Sequence, residues 1–167
     1  MKSPAMSDYE IVGARGEVHG LSHLLNRLQS ARRGHVLALD AGMICGREHL
    51  ESAVEHALRA FARGTNSAND IMMETMLYAS GERQISKARE KMSVKEGADS
   101  VALVLFGASK DDVLKITGLE EDDAVLECSR SKLIRFGIEP GELDAAPSGR
   151  TSDLALERVA FVEILKR

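Results

Sequence analysis

One short stretch of the chain carries residue types that bind anions. Residues 79–85 read Ala-Ser-Gly-Glu-Arg-Gln-Ile and stand where one predicted helix ends and the next begins without a real loop. Gly81 suits the backbone turn that ends a helix, and Ser80 suits the cap of the helix that follows. The first amides of that second helix would favour a phosphate, whose oxygens also match the forked Arg83 guanidinium. This stretch, which we call the corner, is predicted to be either an anion site or an ordinary packed turn.

The charges around the corner argue in both directions. Glu82 weighs against an anion site, because a carboxylate in the first turn of a helix uses the helix dipole for itself. The cations that could join Arg83 in a basic patch are Arg59, Arg63, Lys87 and Lys91, the last two on the outer face of the second helix. Each cation taken singly is explained as well by a helix dipole or a solvated helix face.

The other reactive residue types form no recognisable set. His19 and His23 have the four-residue spacing of helix-borne metal ligands, but nothing near them completes a ligand set, so we expect the histidines to be solvated or locally bonded. Cys45 and Cys128 stand far apart and are expected to be buried free thiols. There is no phosphate-binding loop, dinucleotide fingerprint or nucleophile elbow. No catalytic residue, metal or cofactor is therefore predicted, and a small Cys/His enzyme stays open as a rival interpretation.

Length and composition limit the classes of function. The chain has 167 residues, of which 44% are hydrophobic, and a net charge of -4. We expect a loose tail over residues 1–8 and a single domain over residues 9–167. No apolar run is long enough to cross a bilayer, which predicts a cytoplasmic protein. The negative charge and the few aromatic residues argue against a protein that coats nucleic acid, but they allow a small and local contact.

The pattern of apolar residues predicts a mixed fold. Strands are expected over residues 9–14, 35–40 and 100–106, and helices over 19–33, 47–63, 71–79, 82–92, 109–118, 131–136 and 152–165. Asn66, Ser67 and Asn69 would start the helix over 71–79, which should be the most buried one. Residues 120–123 are interpreted as a solvated acidic turn and residues 140–147 as a loop. The fold class is α/β (mixed α+β), with a single small three- to four-stranded sheet covered by about six or seven helices.

The last predicted helix has more apolar surface than one core-facing stripe needs. Its apolar residues are Leu154, Leu156, Val159, Phe161, Val162, Ile164 and Leu165. Such a helix either packs in a groove of its own domain or meets a partner. The sequence pattern leaves both interpretations open.

Several motifs together resemble a known family. They are the run of residues 60–66 (Ala-Phe-Ala-Arg-Gly-Thr-Asn), Met73-Glu74, the run of residues 77–85 (Leu-Tyr-Ala-Ser-Gly-Glu-Arg-Gln-Ile), and Lys87-Ala88 before Met92. These residues resemble the archaeal small subunit of the KEOPS complex. The run over residues 77–85 is the most specific part, and a looser likeness extends from about Tyr9 to the C-terminus.

The resemblance implies a non-catalytic regulatory subunit. Members of that family bind the kinase-like ATPase of KEOPS, stimulate it, and capture the 3′ CCA end of the transfer RNA that receives the threonylcarbamoyl-adenosine modification. By resemblance, the tRNA-binding candidates at the corner are Arg59, Arg63, Asn66, Ser80, Gly81, Arg83, Gln84 and Lys87. By the same resemblance, the kinase contact lies on the last helix, with Val159, Val162, Ile164 and Leu165 as candidates. A plain interaction scaffold without RNA contact is the alternative.

Overall fold

A computed structural model describes residues 8–21, 23, 26 and 34–166. The strands are β1 (Tyr9–Arg15), β2 (His35–Asp40), β3 (Ser100–Phe106) and β4 (Glu120–Glu121). The helices are α1 (Arg47–Arg63), α2 (Ile71–Ser80), α3 (Ile85–Met92), α4 (Lys110–Thr117), α5 (Arg130–Phe136), α6 (Pro140–Ala145) and α7 (Asp153–Leu165). Short 3-10 turns cover Ala41–Met43 and Asp123–Leu126. The predicted tail, apart from Asp8, and most of the predicted helix over 19–33 lie outside the described residues.

The described residues form two compact units. Residues up to 41 and residues 93–125 make the first unit, and residues 42–92 and 126–166 make the second. The first unit holds the sheet and α4, and the second holds the other helices. The single domain expected over residues 9–167 stays a prediction.

The sheet of the first unit is antiparallel, with strand order β2-β3-β1-β4. Six of the seven residues of β3 are buried, from Val101 to Phe106. This confirms the central strand that its uninterrupted apolar run predicts, because a strand with neighbours on both sides and both faces covered has no solvated position. Val113 of α4 packs on one face of the sheet with Val12 and Leu103.

The acidic block is the main difference in the first unit. Its first two residues, Glu120 and Glu121, form the edge strand β4 and pair with Arg15 and Ala14, so the prediction of a turn was wrong there. An edge strand uses backbone groups for its pairing, which lets both glutamates keep exposed side chains. Lys110 lies 3.2 Å from Glu121 and offsets part of the charge.

Helices make up the second unit, and their ends follow local chemistry. Gly64 takes a left-handed backbone with φ of 70° and closes α1 where the sequence predicts its end. Asp70 caps α2 by accepting a hydrogen bond from the Met73 amide at 2.8 Å, in place of the three residues predicted for that role. Residues Pro140–Ala145 form α6 where a loop was predicted, because a proline fits the first turn of a helix without losing a hydrogen bond.

The predicted fold class is confirmed. Within the described residues there are one four-stranded antiparallel sheet and seven α-helices, a mixed α/β structure. The prediction that the helix over 71–79 is the most buried is also supported, since eight of the ten residues of α2 are buried, including Glu74 and Thr75.

Candidate functional site

The corner lies in the second unit and is a turn of four residues, 81–84, not a direct helix junction. Helix α2 ends at Ser80, and α3 begins only at Ile85. The predicted start of the second helix at Glu82 was therefore wrong. The Ser80 hydroxyl accepts a hydrogen bond from the Glu82 amide at 3.0 Å, so this amide is used inside the turn and Ser80 does not cap α3.

Gly81 is required by both its backbone and its neighbours. Its φ of 71° is in the left-handed region, which disfavours residues with a Cβ atom. A Cβ atom built on Gly81 would stand 3.2 Å from Arg158 Cβ and 3.7 Å from Phe136 Cζ. The turn is thus packed against α7 and α5, which leaves little room for a side chain at residue 81.

The last four carbonyls of α2, at residues 77–80, each have a different hydrogen-bond donor. The Ser80 hydroxyl donates to the first at 2.7 Å, and the Gly81 amide donates to the second at 3.1 Å. His49 Nε2 donates to the third at 2.8 Å, and Lys91 Nζ donates to the fourth at 2.8 Å. Carbonyls at a helix end lack intrahelical partners and carry partial negative charge, so this capping removes acceptors that would repel an anion.

His49 is fully buried and links the end of α2 to the start of α1. Its Nδ1 accepts a hydrogen bond from the Cys45 amide at 3.0 Å, and the edge of its ring meets Phe136 with the centroids 5.2 Å apart. Burial lowers the pKa of His49 to about 4, against the raising effect of its hydrogen bond to the Ala79 carbonyl. The imidazole is therefore neutral near pH 7, with the proton on Nε2.

Lys91 turns toward the protein, which corrects the prediction that it lines the outer face with Arg83 and Lys87. Its Nζ lies 3.8 Å from the centroid of the Phe136 ring and 3.7 Å from Glu82 Oε1. Burial lowers the pKa of Lys91, while the Glu82 carboxylate opposes that shift. The nearby Glu82 charge is therefore partly neutralised from within the protein.

Five of the predicted tRNA-binding residues are exposed: Arg59, Arg63, Arg83, Gln84 and Lys87. Arg83 and Gln84 belong to the corner and Lys87 lies one turn further along α3, while the two other arginines lie near the end of α1. Helix α2 packs against both α1 and α3. Within the described part of the chain none of the four cations takes part in an ion pair, so their charges are available to a ligand.

The other three tRNA-binding candidates shape the site. Ser80 is buried, and Gly81 is only partly exposed. Asn66 Nδ2 donates to the Ala68 carbonyl at 2.8 Å, inside the short segment between α1 and α2. This segment is fixed by the buried Glu74, which accepts hydrogen bonds from the Ser67 amide at 2.9 Å.

The four residues predicted for the partner contact divide into two classes. Val159 and Val162 are fully buried in the second unit, while Ile164 is 59% exposed and Leu165 is partly exposed. Phe161, a member of the apolar set of the last helix, is 49% exposed. The exposed apolar surface of α7 is therefore centred on Phe161 and Ile164.

A polar network fastens α7 to α1 and α2. Tyr78 donates to Glu163 at 2.7 Å, and Lys166 lies 3.2 Å from the buried Glu74 and 3.1 Å from the Tyr78 hydroxyl. His56 Nδ1 lies 3.4 Å from Glu163. Burial raises the pKa of Glu163, but its hydrogen bonds with Tyr78 and His56 lower it by more, so its pKa lies below the usual range.

The cysteines do not fit the prediction of free thiols. Cys45 and Cys128 form a disulfide across 83 residues of sequence. Their segments are also joined by a hydrogen bond from the Gly46 amide to the Leu126 carbonyl at 2.6 Å, a contact that no spacing in the sequence indicates. No cysteine is free among the described residues.

Two kinds of feature are absent from the described part of the chain. No group of three or more His, Cys, Asp or Glu side chains is arranged to hold a metal ion. No helix has both the length and the apolar content that crossing a membrane requires.

The comparisons with known proteins concern most of the chain. The family model described as Kinase binding protein CGI-121 matches residues 17–136. Comparison with curated proteins returned no match. The family match confirms the resemblance to the small KEOPS subunit at the level of the family, without showing an archaeal origin. Because the matched residues cover more than half of the sequence, the chain belongs to the CGI-121 family of kinase binding proteins.

Proposed function

We propose that this protein is a non-catalytic regulatory subunit of KEOPS that binds and stimulates the kinase-like ATPase and recruits tRNA through its 3′ CCA end. Membership in a family of kinase binding proteins supports the kinase part. The observation that carries the RNA part is the corner, where a fixed turn presents exposed cations that have no ion-pair partner among the described residues. A local patch of this kind suits a single-stranded end better than a long duplex.

We assign the roles of the residues at the corner from the exposure of their side chains. Arg83 and Lys87 would hold phosphates, and the Gln84 amide would contact base edges, which need both a donor and an acceptor. Arg59 and Arg63 would extend the positive surface toward the rest of the RNA. The remaining three candidates, Asn66, Ser80 and Gly81, would set the shape of the site, since the two polar side chains already bond to the protein.

The RNA contact is tested by a pair of matched charge reversals. Lys87→Glu should weaken tRNA binding by about tenfold, because a phosphate contact is lost and a like charge is added. Lys115→Glu, on an exposed residue of α4 in the other unit, makes the same change in net charge and should stay within about twofold of wild type. Binding would be measured by gel shift and by fluorescence anisotropy.

The ligand is tested by trimming the RNA. Arg83→Glu should weaken the binding of intact tRNA. Removal of the CCA end should weaken binding to the wild-type protein by a similar factor. In the Arg83→Glu variant, removal of the CCA end should cause no further loss of binding. The salt dependence should be shallow, with a slope of about -1.4 for two phosphate contacts to a single strand. Equal affinity for intact and trimmed tRNA, together with no effect of Arg83→Glu, would leave the plain scaffold as the function.

The kinase contact is proposed for the exposed face of α7. Ala160, Phe161 and Ile164 are exposed, and Ile164 follows the other two by four and three residues, which places it beside both on the helix surface. Leu165 borders this face, while the buried Val159 and Val162 support it from inside. We therefore assign this exposed apolar face of α7 to a groove of the kinase subunit.

The same substitution at two exposed isoleucines tests this contact. Ile164→Glu should abolish binding of the kinase subunit and its stimulation while circular dichroism stays normal. Ile134→Glu, on a residue of α5 that is 44% exposed, places the same charge on the same kind of side chain and should bind normally. Loss of binding in the second variant alone would place the interface on α5. Val162→Glu is expected to unfold the protein, because that side chain is fully buried.

A further inference from the structure

Glu82 poses a physical problem for a phosphate site at the corner. It follows Gly81 directly, and its side chain is only partly exposed. A carboxylate next to a bound phosphate repels it, and an unrestrained carboxylate would compete for the free amides at the start of α3. An RNA site at this position therefore needs a device that keeps the Glu82 charge away from the ligand.

Lys91 has the geometry of such a device. Its side chain is 19% exposed, its Nζ is 3.7 Å from Glu82 Oε1, and the same Nζ donates to the Ser80 carbonyl at 2.8 Å. The ring of Phe136, which is itself buried, lies under the ammonium group at 3.8 Å and limits its movement. Lys91 thus contacts the residues before and after Gly81 at the same time.

The charges that surround this pair come from three helices. Arg158 of α7 also acts on Lys91, but its guanidinium is held by Glu142 of α6 at 2.8 Å. Among the described residues, the cation that forms an ion pair with the Glu82 carboxylate is therefore Lys91. The Glu82 carboxylate is directed to α3 and does not need the amides that α3 offers to a ligand.

We propose that Lys91 is the positioning residue of the corner: it draws the Glu82 carboxylate aside and caps the Ser80 carbonyl, so that an RNA phosphate can approach Arg83 and the first amides of α3. The inference rests on the proposed RNA function and adds a mechanism to it. In this mechanism Lys91 does not contact the RNA.

A double-mutant cycle tests the mechanism with tRNA as the probe. Lys91→Met keeps the aliphatic stem against Phe136 but removes the charge, and it should weaken tRNA binding by about tenfold. Glu82→Gln alone should stay within about twofold of wild type, since Lys91 already holds the carboxylate aside. The double variant should return to within about threefold of wild type. A double variant as weak as Lys91→Met would overturn the proposal.

The salt dependence separates positioning from direct contact. If Lys91 acts only through Glu82, the slope of log affinity against log salt should be equal in wild type and Lys91→Met. A slope that becomes shallower by about 0.7 would show that Lys91 binds a phosphate itself, and would overturn the proposal. If Lys91→Met fails to fold by circular dichroism, Lys91→Gln keeps a donor for the Ser80 carbonyl and replaces it in the cycle. Wild type that binds intact and trimmed tRNA equally would instead refute the proposed function, which distinguishes the two failures.

Discussion

The stability of this protein should fall in mild acid because of one buried histidine. The pKa of His49 is lowered to about 4 in the folded protein, from the ordinary histidine value of 6.5 that applies to the unfolded chain. The unfolded chain therefore binds more protons than the folded one between these two values, so folding is favoured as pH rises. The contribution of neutral His49 is fully present above the unfolded value and is lost as pH falls toward the folded value. It amounts to about 3 kcal/mol when complete.

The size of the effect in a practical range follows from the same two pKa values. Between about pH 7.5 and pH 5 the ratio of protonated to neutral unfolded imidazole grows roughly 300-fold, and the loss of stability from His49 comes to about 2 kcal/mol. Urea unfolding at the two pH values measures it. His49→Gln removes the titrating ring but keeps a donor for the Ala79 carbonyl, so the stability gap between wild type and variant should shrink by that amount at the lower pH.

Other groups titrate in the same range, and the design must remove their effect. They are common to wild type and His49→Gln, so the difference between the two proteins isolates His49. His35→Gln makes the same substitution at an exposed histidine of β2 and serves as the matched control for the change of side chain. A gap between wild type and His49→Gln that does not change with pH would show that the imidazole is not held neutral by burial.

Three more perturbations have expected costs in the free energy of unfolding. Lys166→Met leaves the fully buried Glu74 without its cation and should cost about 3 kcal/mol in urea unfolding, and a cost below about 1 kcal/mol would contradict the buried pair. Gly81→Ala should lower the free energy of unfolding by about 1 to 2 kcal/mol, because φ is left-handed and Arg158 Cβ stands 3.2 Å from the new methyl group. Equal stability of variant and wild type would contradict the left-handed backbone at residue 81. Cys128→Ser opens a loop of 83 residues and should lower the free energy of unfolding by about 4 kcal/mol. A thiol reductant should abolish this difference between variant and wild type. Equal stability without reductant would mean that the thiols are free.

Local patterns predicted the elements of this fold, because local chemistry decides them. The apolar stripe of α1 and the glycine after it needed no distant partner to be recognised. The same holds for β3, whose uninterrupted apolar run marks a central strand. The errors at residues 120–121 and 140–145 concern short elements, where a few polar residues or one proline fit a turn as well as a strand or helix.

The parts of the site that were not predicted depend on residues far apart in sequence. Helical spacing places Lys91 with Lys87 on one face of α3, and only the position of Phe136, on α5, shows that the ammonium group turns inward. The disulfide and the hydrogen bonds of His49 likewise join segments that no periodicity connects. Phe161 could have been chosen from the sequence, since it lies three residues before Ile164 on a helix whose apolar residues exceed one stripe.

The capped end of α2 bears on the proposed RNA site, because that site includes a helix C-terminus. A helix end of this polarity repels phosphates, because its last carbonyls carry partial negative charge. In this protein all four carbonyls at residues 77–80 are occupied, and two of the donors, His49 and Lys91, come from other helices. The same contacts fix the backbone of the turn before any ligand arrives. A flexible RNA end loses conformational freedom on binding, and a turn that is already ordered adds little to that cost. The exposed cations of the corner can then act on a surface that neither repels the phosphates nor has to be rebuilt to receive them.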